Sequence, residues 1–153
     1  MIPSTVERVP LHTDEHVNEE IRCKTEASVA QCAAAGRQAM DHRLAELDEE
    51  WDIERTLEAN AATVSLVGLT LGANVDRRWF LFPAIVAGFL LQHAVQGWCP
   101  PLPILRRLGF RTSSEIDYER YALKLLRGDF RRFSELEDSD GAQTKLVLET
   151  MRQ

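Results

Sequence analysis

Residues 59–98 read ANAATVSLVGLTLGANVDRRWFLFPAIVAGFLLQHAVQGW, and the fold turns on that stretch. Ala59 to Val75 carries no charge, Asp76, Arg77 and Arg78 interrupt, and Trp79 to Leu105 again carries none. As a helix, the first run of 17 residues spans about 26 Å, the short limit for crossing a hydrocarbon core of about 30 Å. Trp79 to Trp98 holds 20 uncharged residues with an aromatic at each end, where rings prefer the membrane interface. Pro83 falls near the start of this second run, where a missing N–H does least harm. The link from Asn74 to Arg78 is short enough only for an antiparallel connection. The stretch therefore predicts a two-helix transmembrane hairpin over 59–98, with helices at about 59–75 and 79–98. A soluble helical hairpin is the alternative, because a run of this length also suits a buried core helix.

Averages conceal this pattern. The 153 residues are 27% charged, with a net charge of -6 and a mean hydropathy of -0.25, values typical of a soluble protein. That length limits the chain to one small domain or one membrane unit with flanks. The negative balance, and the lack of a Lys/Arg cluster interleaved with aromatics, argue against nucleic acid as a partner. Cys23, Cys32 and Cys99 form no CxxC pair, and an odd count fits a reducing, cytoplasmic face. The opening MIPSTVERVPLHTDEH has no apolar core of the kind a secretory signal needs, so insertion is expected to use the internal segments.

Outward from the hairpin, residues 1–12 carry Pro3 and Pro10 without periodicity and read as a flexible arm. Residues 13–58 read as a helical region. Val17, Ile21, Val29 and Ala33 recur at helical spacing, Gly36 bends or ends that helix, and Met40, Leu44, Leu47 and Trp51 continue the stripe. Residues 99–128 combine a Pro-rich exit, Cys99-Pro100-Pro101-Leu102-Pro103, with an amphipathic helix. Thr112-Ser113-Ser114-Glu115 is the pattern of a capping box, and Gly128 stops the helix it opens. Residues 129–153 read as a polar tail with at most a short helix near 145–151. The expected fold class is all-α.

Within the hairpin, Asn60, Gln92, His93 and Gln96 are the polar residues of interest, and polar groups at membrane depth face protein or water. Residues whose numbers sum to about 153 share a depth, which sets His93 level with Asn60. Ala61, Ser65, Gly68 and Gly72 lie within about 60° of one another on a helical wheel, and Ala84 with Gly88 forms a second small-residue pair. These faces are expected to pack the hairpin closely. His93 lies about 140° from Gly88, so it is expected to reach headgroups or a second subunit, which favours a homo-oligomer. His12 and His16 have ligand-capable spacing, but a cap at Thr13 or Asp14 places His12 outside the helix, and no metal is assigned. Cys99 is a candidate reactive thiol, against a plainer reading as helix-exit packing. No catalytic residue and no cofactor are assigned.

The segment from about Leu57 to Gly109, above all Gly97-Trp98-Cys99-Pro100 followed by Leu105 and Leu108-Gly109, resembles the YgaP-like transmembrane domain family of bacterial inner-membrane proteins. The resemblance covers about a third of the chain. It implies a glycine-rich apolar helix, a tight turn, a second apolar helix and a Gly-x-Cys-Pro exit. The best-known member carries an N-terminal rhodanese domain that handles sulfane sulfur. Here the first 58 residues are too few for that domain, and Cys32-Ala33-Ala34-Ala35-Gly36-Arg37 is one residue short of its cysteine loop, so no sulfurtransferase activity carries over. The expectation is a non-enzymatic structural or interaction module of the bacterial inner membrane. Its partners are the bilayer, a second copy, and an unidentified protein meeting the N-terminal helical region. Both termini are expected in the cytoplasm, because Arg43, Arg55, Arg106, Arg107 and Arg111 flank the hairpin against Arg77 and Arg78 in its loop. Two alternatives are a small oligomeric transporter or channel, resting on Gln92, His93 and Gln96, and a membrane partner of sulfur-transfer enzymes, resting on Cys99.

Overall fold

The computed structural model describes residues 3–129, and among these all regular structure is helical. The α-helices in order are α1 (Glu15–Ala35), α2 (Arg37–Glu49), α3 (Ile53–Asn74), α4 (Leu81–Gln96), α5 (Leu102–Arg107) and α6 (Ser113–Arg127), with 3-10 turns at Pro10–His12 and Arg77–Phe80. They form two compact units, one of residues 3–24 and 50–116 and the other of 25–49 and 117–129. Of the expected tail over 129–153, all but Asp129, including its short helix, falls outside the described residues.

In the first unit, α3 starts well before the uncharged run. Its start is set by a cap, with the Asp52 carboxylate accepting from the Arg55 N–H at 2.8 Å. At the other end, the Asp76 side chain accepts from the Arg78 N–H at 2.8 Å and opens the 3-10 turn that leads into α4. Gly97 closes α4 in the left-handed region at φ 84°, its N–H bonding to the His93 carbonyl.

Helices α3 and α4 lie against each other as an antiparallel pair. A Cβ at Gly68 would lie 2.7 Å from Pro83 Cδ, and one at Gly72 would lie 2.7 Å from Phe80 Cδ1. These glycines supply the notch, and Pro83 with the Phe80 and Phe82 rings fills it. Ala61 and Ser65 are half-buried along the same face. Ala84 and Gly88 take no part in this contact. Both are exposed, and a Cβ at Gly88 meets nothing within 4 Å. The face of α4 that meets α3 is thus set by a proline and aromatic rings, not by the small pair expected there.

Among the described residues, one stretch is long and apolar enough to cross a membrane: Arg77–Gln96, 20 residues at mean hydropathy 1.4 with 6% buried. Helix α3, diluted by Asn60, Thr63, Ser65, Thr70 and Asn74, does not reach that apolarity.

The base of the hairpin is the buried core of this unit. Val9, Ile53, Leu57, Cys99 and Leu102 cluster there, with Leu105 and Phe110 packed against them. Val9 is 1% exposed, which corrects the reading of residues 1–12 as a flexible arm. Its physical cause is local: Pro10 starts a 3-10 turn, and the turn before it, with Arg8 N–H on the Ser4 carbonyl at 3.0 Å, aims Val9 inward. The Pro-rich exit also differs from expectation. α4 has already ended at Gly97 before Pro100 and Pro101, and Pro103 sits in the first turn of α5, where its missing N–H has no partner to lose. α5 carries Arg106, fully buried. The guanidinium donates to both Glu115 carboxylate oxygens at 2.7 and 2.8 Å, to Asn18 Oδ1 at 2.8 Å and to the Phe110 carbonyl at 3.0 Å. The capping box opening α6 is reciprocal: Thr112 N–H reaches Glu115 Oε2 at 2.8 Å, and Glu115 N–H reaches Thr112 Oγ1 at 3.3 Å.

In the second unit, Met40, Leu44 and Leu47 are buried on α2, as their spacing predicts, and Gly36 at φ 93° separates α1 from α2. Glu119 is wholly buried, with both oxygens engaged by Arg43 at 2.8 and 3.1 Å and one by the Ser28 hydroxyl at 2.6 Å. Trp51, the last position of the stripe, belongs instead to the first unit, exposed and covered by the Arg55 guanidinium at 4.2 Å.

Candidate thiol site at the base of the hairpin

Glu54 lies in the first turn of α3, and His93 lies near the end of α4. The antiparallel pairing sets them face to face, with His93 Nε2 2.9 Å from Glu54 Oε2. The other carboxylate oxygen takes Arg8 NH2 at 2.9 Å, and Arg8 NH1 donates to the Ala94 carbonyl at 3.0 Å. One strand of irregular chain and two helix ends are thereby tied together. The hydrogen bond from His93 holds the Glu54 carboxyl below its ordinary range; burial opposes this and the Arg8 guanidinium reinforces it.

An ionised carboxylate only accepts hydrogen bonds, so the short contact assigns a proton to His93 Nε2. That leaves Nδ1. It is buried and has no hydrogen-bond partner, in a side chain 3% exposed as a whole residue. The Cys99 thiol, itself 4% exposed, adjoins the ring. Carboxylate, imidazole and thiol therefore stand in sequence, the arrangement by which a positioned base activates a sulfur nucleophile. Cys99 also lines a cavity of about 490 Å³ between α3 and α4. No family model, curated protein or solved structure matches this chain.

The structure brings His93 beside Cys99, and sets Asn60 and Ala61 in the lining of the same cavity as Cys99. Asn60 is exposed and bonds its own helix through the Thr56 carbonyl at 2.9 Å; Gln92 is half-buried, and Gln96 is exposed. His93 is buried, Gln96 is exposed and Asn60 lines the cavity between α3 and α4, so they form no continuous polar arc. The expectation that His93 needs headgroups or a second subunit is corrected: Glu54 of the same chain is its partner. Among the described residues, no group of three His, Cys, Asp or Glu is placed to hold a metal ion.

Glu54 and Arg8 were missed because both lie outside the uncharged window and were assigned to flanks. A signal for Glu54 was present. It stands seven residues before Ala61, so the face carrying Ala61, Ser65, Gly68 and Gly72, extended two turns toward the start of α3, ends on this carboxylate. Nothing comparable pointed to Arg8.

Proposed function

We propose that this chain is a small integral membrane protein of the bacterial inner membrane, anchored by the 59–98 hairpin and acting as a structural or interaction module. One observation carries the reading. The outward faces of α3 and α4 are largely apolar, with Leu66 64%, Val67 52%, Leu81 67% and Leu91 67% exposed. Apolar surface this extensive on a soluble monomer marks a membrane or partner contact. The polar residues of α3 are compatible with lipid depth, since the Thr63 and Thr70 hydroxyls donate to carbonyls one turn back at 2.8 Å. Rings at the two ends, Trp79 at the tip and Trp98 at the base, fit the two interfaces. The resemblance of Gly97-Trp98-Cys99-Pro100 to the YgaP-like hairpins supports the bacterial inner membrane as the location.

Self-association is part of the proposal. Gly68 and Gly72 are occupied within the chain, so a second copy is assigned to the open Ala84 and Gly88 face of α4. Extraction of native membranes with carbonate at high pH tests the anchoring. The protein is expected to remain with the pellet; release into the supernatant overturns the membrane reading and leaves the apolar skin as a protein interface.

A further inference from the structure

Anchoring does not require a buried histidine that is held by a carboxylate, keeps one ring nitrogen unpartnered and has a cysteine beside it. Leu57, Ala61 and Val64 occupy successive turns of α3, and Ile85 and Phe89 face them from α4, so the cavity runs about 10 Å along the helices. Its volume of about 490 Å³ lies in the range of small-molecule sites, its walls are almost wholly apolar, and Cys99 sits at its base end. A flexible hydrocarbon chain fits such a space, whose only polar side chains are Asn60 and Cys99.

We propose that Cys99 is an acyl-acceptor thiol, and that the cavity between α3 and α4 receives the hydrocarbon chain of a long-chain acyl thioester of coenzyme A. His93 Nδ1 takes the proton from the Cys99 thiol. The sulfur attacks the acyl carbonyl carbon, a new carbon–sulfur bond forms, and the donor's carbon–sulfur bond breaks. The departing coenzyme A thiolate takes the proton back from His93. One thioester is exchanged for another, with no oxidant or reductant. Glu54 is a positioning residue that orients the imidazole and offsets the charge it gains, and Arg8 holds Glu54 in turn. Cavity and thiol belong to the chain in micelles as in a bilayer, so this inference stands or falls separately from the anchoring.

The test incubates the full-length protein, in detergent micelles, with palmitoyl-coenzyme A and follows intact mass, with peptide mapping before and after neutral hydroxylamine. One hydroxylamine-labile palmitoyl adduct on Cys99 is expected, forming faster than any adduct on the exposed Cys23, which serves as an internal control. Cys99→Ala abolishes it. His93→Gln slows it on the order of a hundredfold, the scale of a lost general base. Because His93→Gln can disturb folding, Ala61→Phe is a second variant: it narrows the cavity, and is expected to slow palmitoylation more than transfer from acetyl-coenzyme A to Cys99. Three results each overturn the proposal: no adduct on Cys99; Cys23 reacting as fast as Cys99; or equal loss of palmitoyl and acetyl transfer in Ala61→Phe.

Discussion

At the scale of single residues, the buried charges are the costliest positions to disturb, because each is fully matched. Arg106 satisfies Glu115, Asn18 and the Phe110 carbonyl at once. Arg106→Met removes the cation and leaves Glu115 desolvated without its partner, so it is expected to destabilise the fold by about 3–5 kcal/mol. A thermal melt in detergent, read against wild type, checks this. The same pair predicts a pH dependence. Burial pushes the Glu115 carboxyl up, but the Arg106 bond and the Thr112 backbone N–H prevail and hold it below its ordinary value of 4.5. A carboxyl depressed in the folded state adds stability that is present above pH 4.5 and is lost as the pH falls through the folded value. An acid limb in the melting temperature below that pH is expected for wild type and should be diminished in Arg106→Met. An identical limb in both proteins rules the pair out as its origin.

At the scale of elements, the contact between α3 and α4 depends on which glycines have neighbours. Gly68→Ala places a methyl carbon 2.7 Å from the Pro83 ring, which cannot fold away, so the helices must separate. A loss of about 1–3 kcal/mol, the cost of overpacking, is expected. Gly88→Ala meets open space and gains up to about 1 kcal/mol of helix propensity, so it is expected to be neutral or slightly stabilising as a monomer. Melts of the two variants side by side separate these outcomes, and equal effects would show that the predicted contact is absent. The cap on α6 is a smaller test. Thr112→Ala removes the acceptor of the Glu115 N–H and should cost about 1 kcal/mol. These elements also show what a sequence discloses. The capping box, the break at Gly36 and the α2 stripe as far as Leu47 follow from local rules, and each is where spacing placed it. The match of Gly68 and Gly72 to Pro83 and Phe80 was invisible because small-residue patterns identify a notch without identifying what fills it. The Glu54–His93 pair was hidden for a related reason: the uncharged window excluded a carboxylate on the same helix face.

At the scale of the whole molecule, orientation in a bilayer is the open matter that charge can address. Arg43, Arg106 and Arg111 sit beside Glu119, Glu115 and Glu50 in the folded protein, yet topology is set as the chain inserts, when Lys and Arg act through their number near the span. Five flanking arginines against Arg77 and Arg78 in the loop therefore still predict cytoplasmic termini. In a background without the native cysteines, a cysteine at Val75, 71% exposed at the tip, is expected to react with an impermeant maleimide in spheroplasts. Labelling only after permeabilisation reverses the orientation. The segment from Ser4 to Val9 has a consequence in time as well as in space. Its docking partners are Glu54, the Ala94 carbonyl, and the bare Cα of Gly97, where any side chain would meet the Arg8 carbonyl, and all of them are made later on the ribosome. This segment thus emerges before anything it docks on. A nascent chain arrested before Ala94 should leave that segment open to protease, and one extended well past Leu102 should seal it, making this short strap a timer that reports completion of the hairpin.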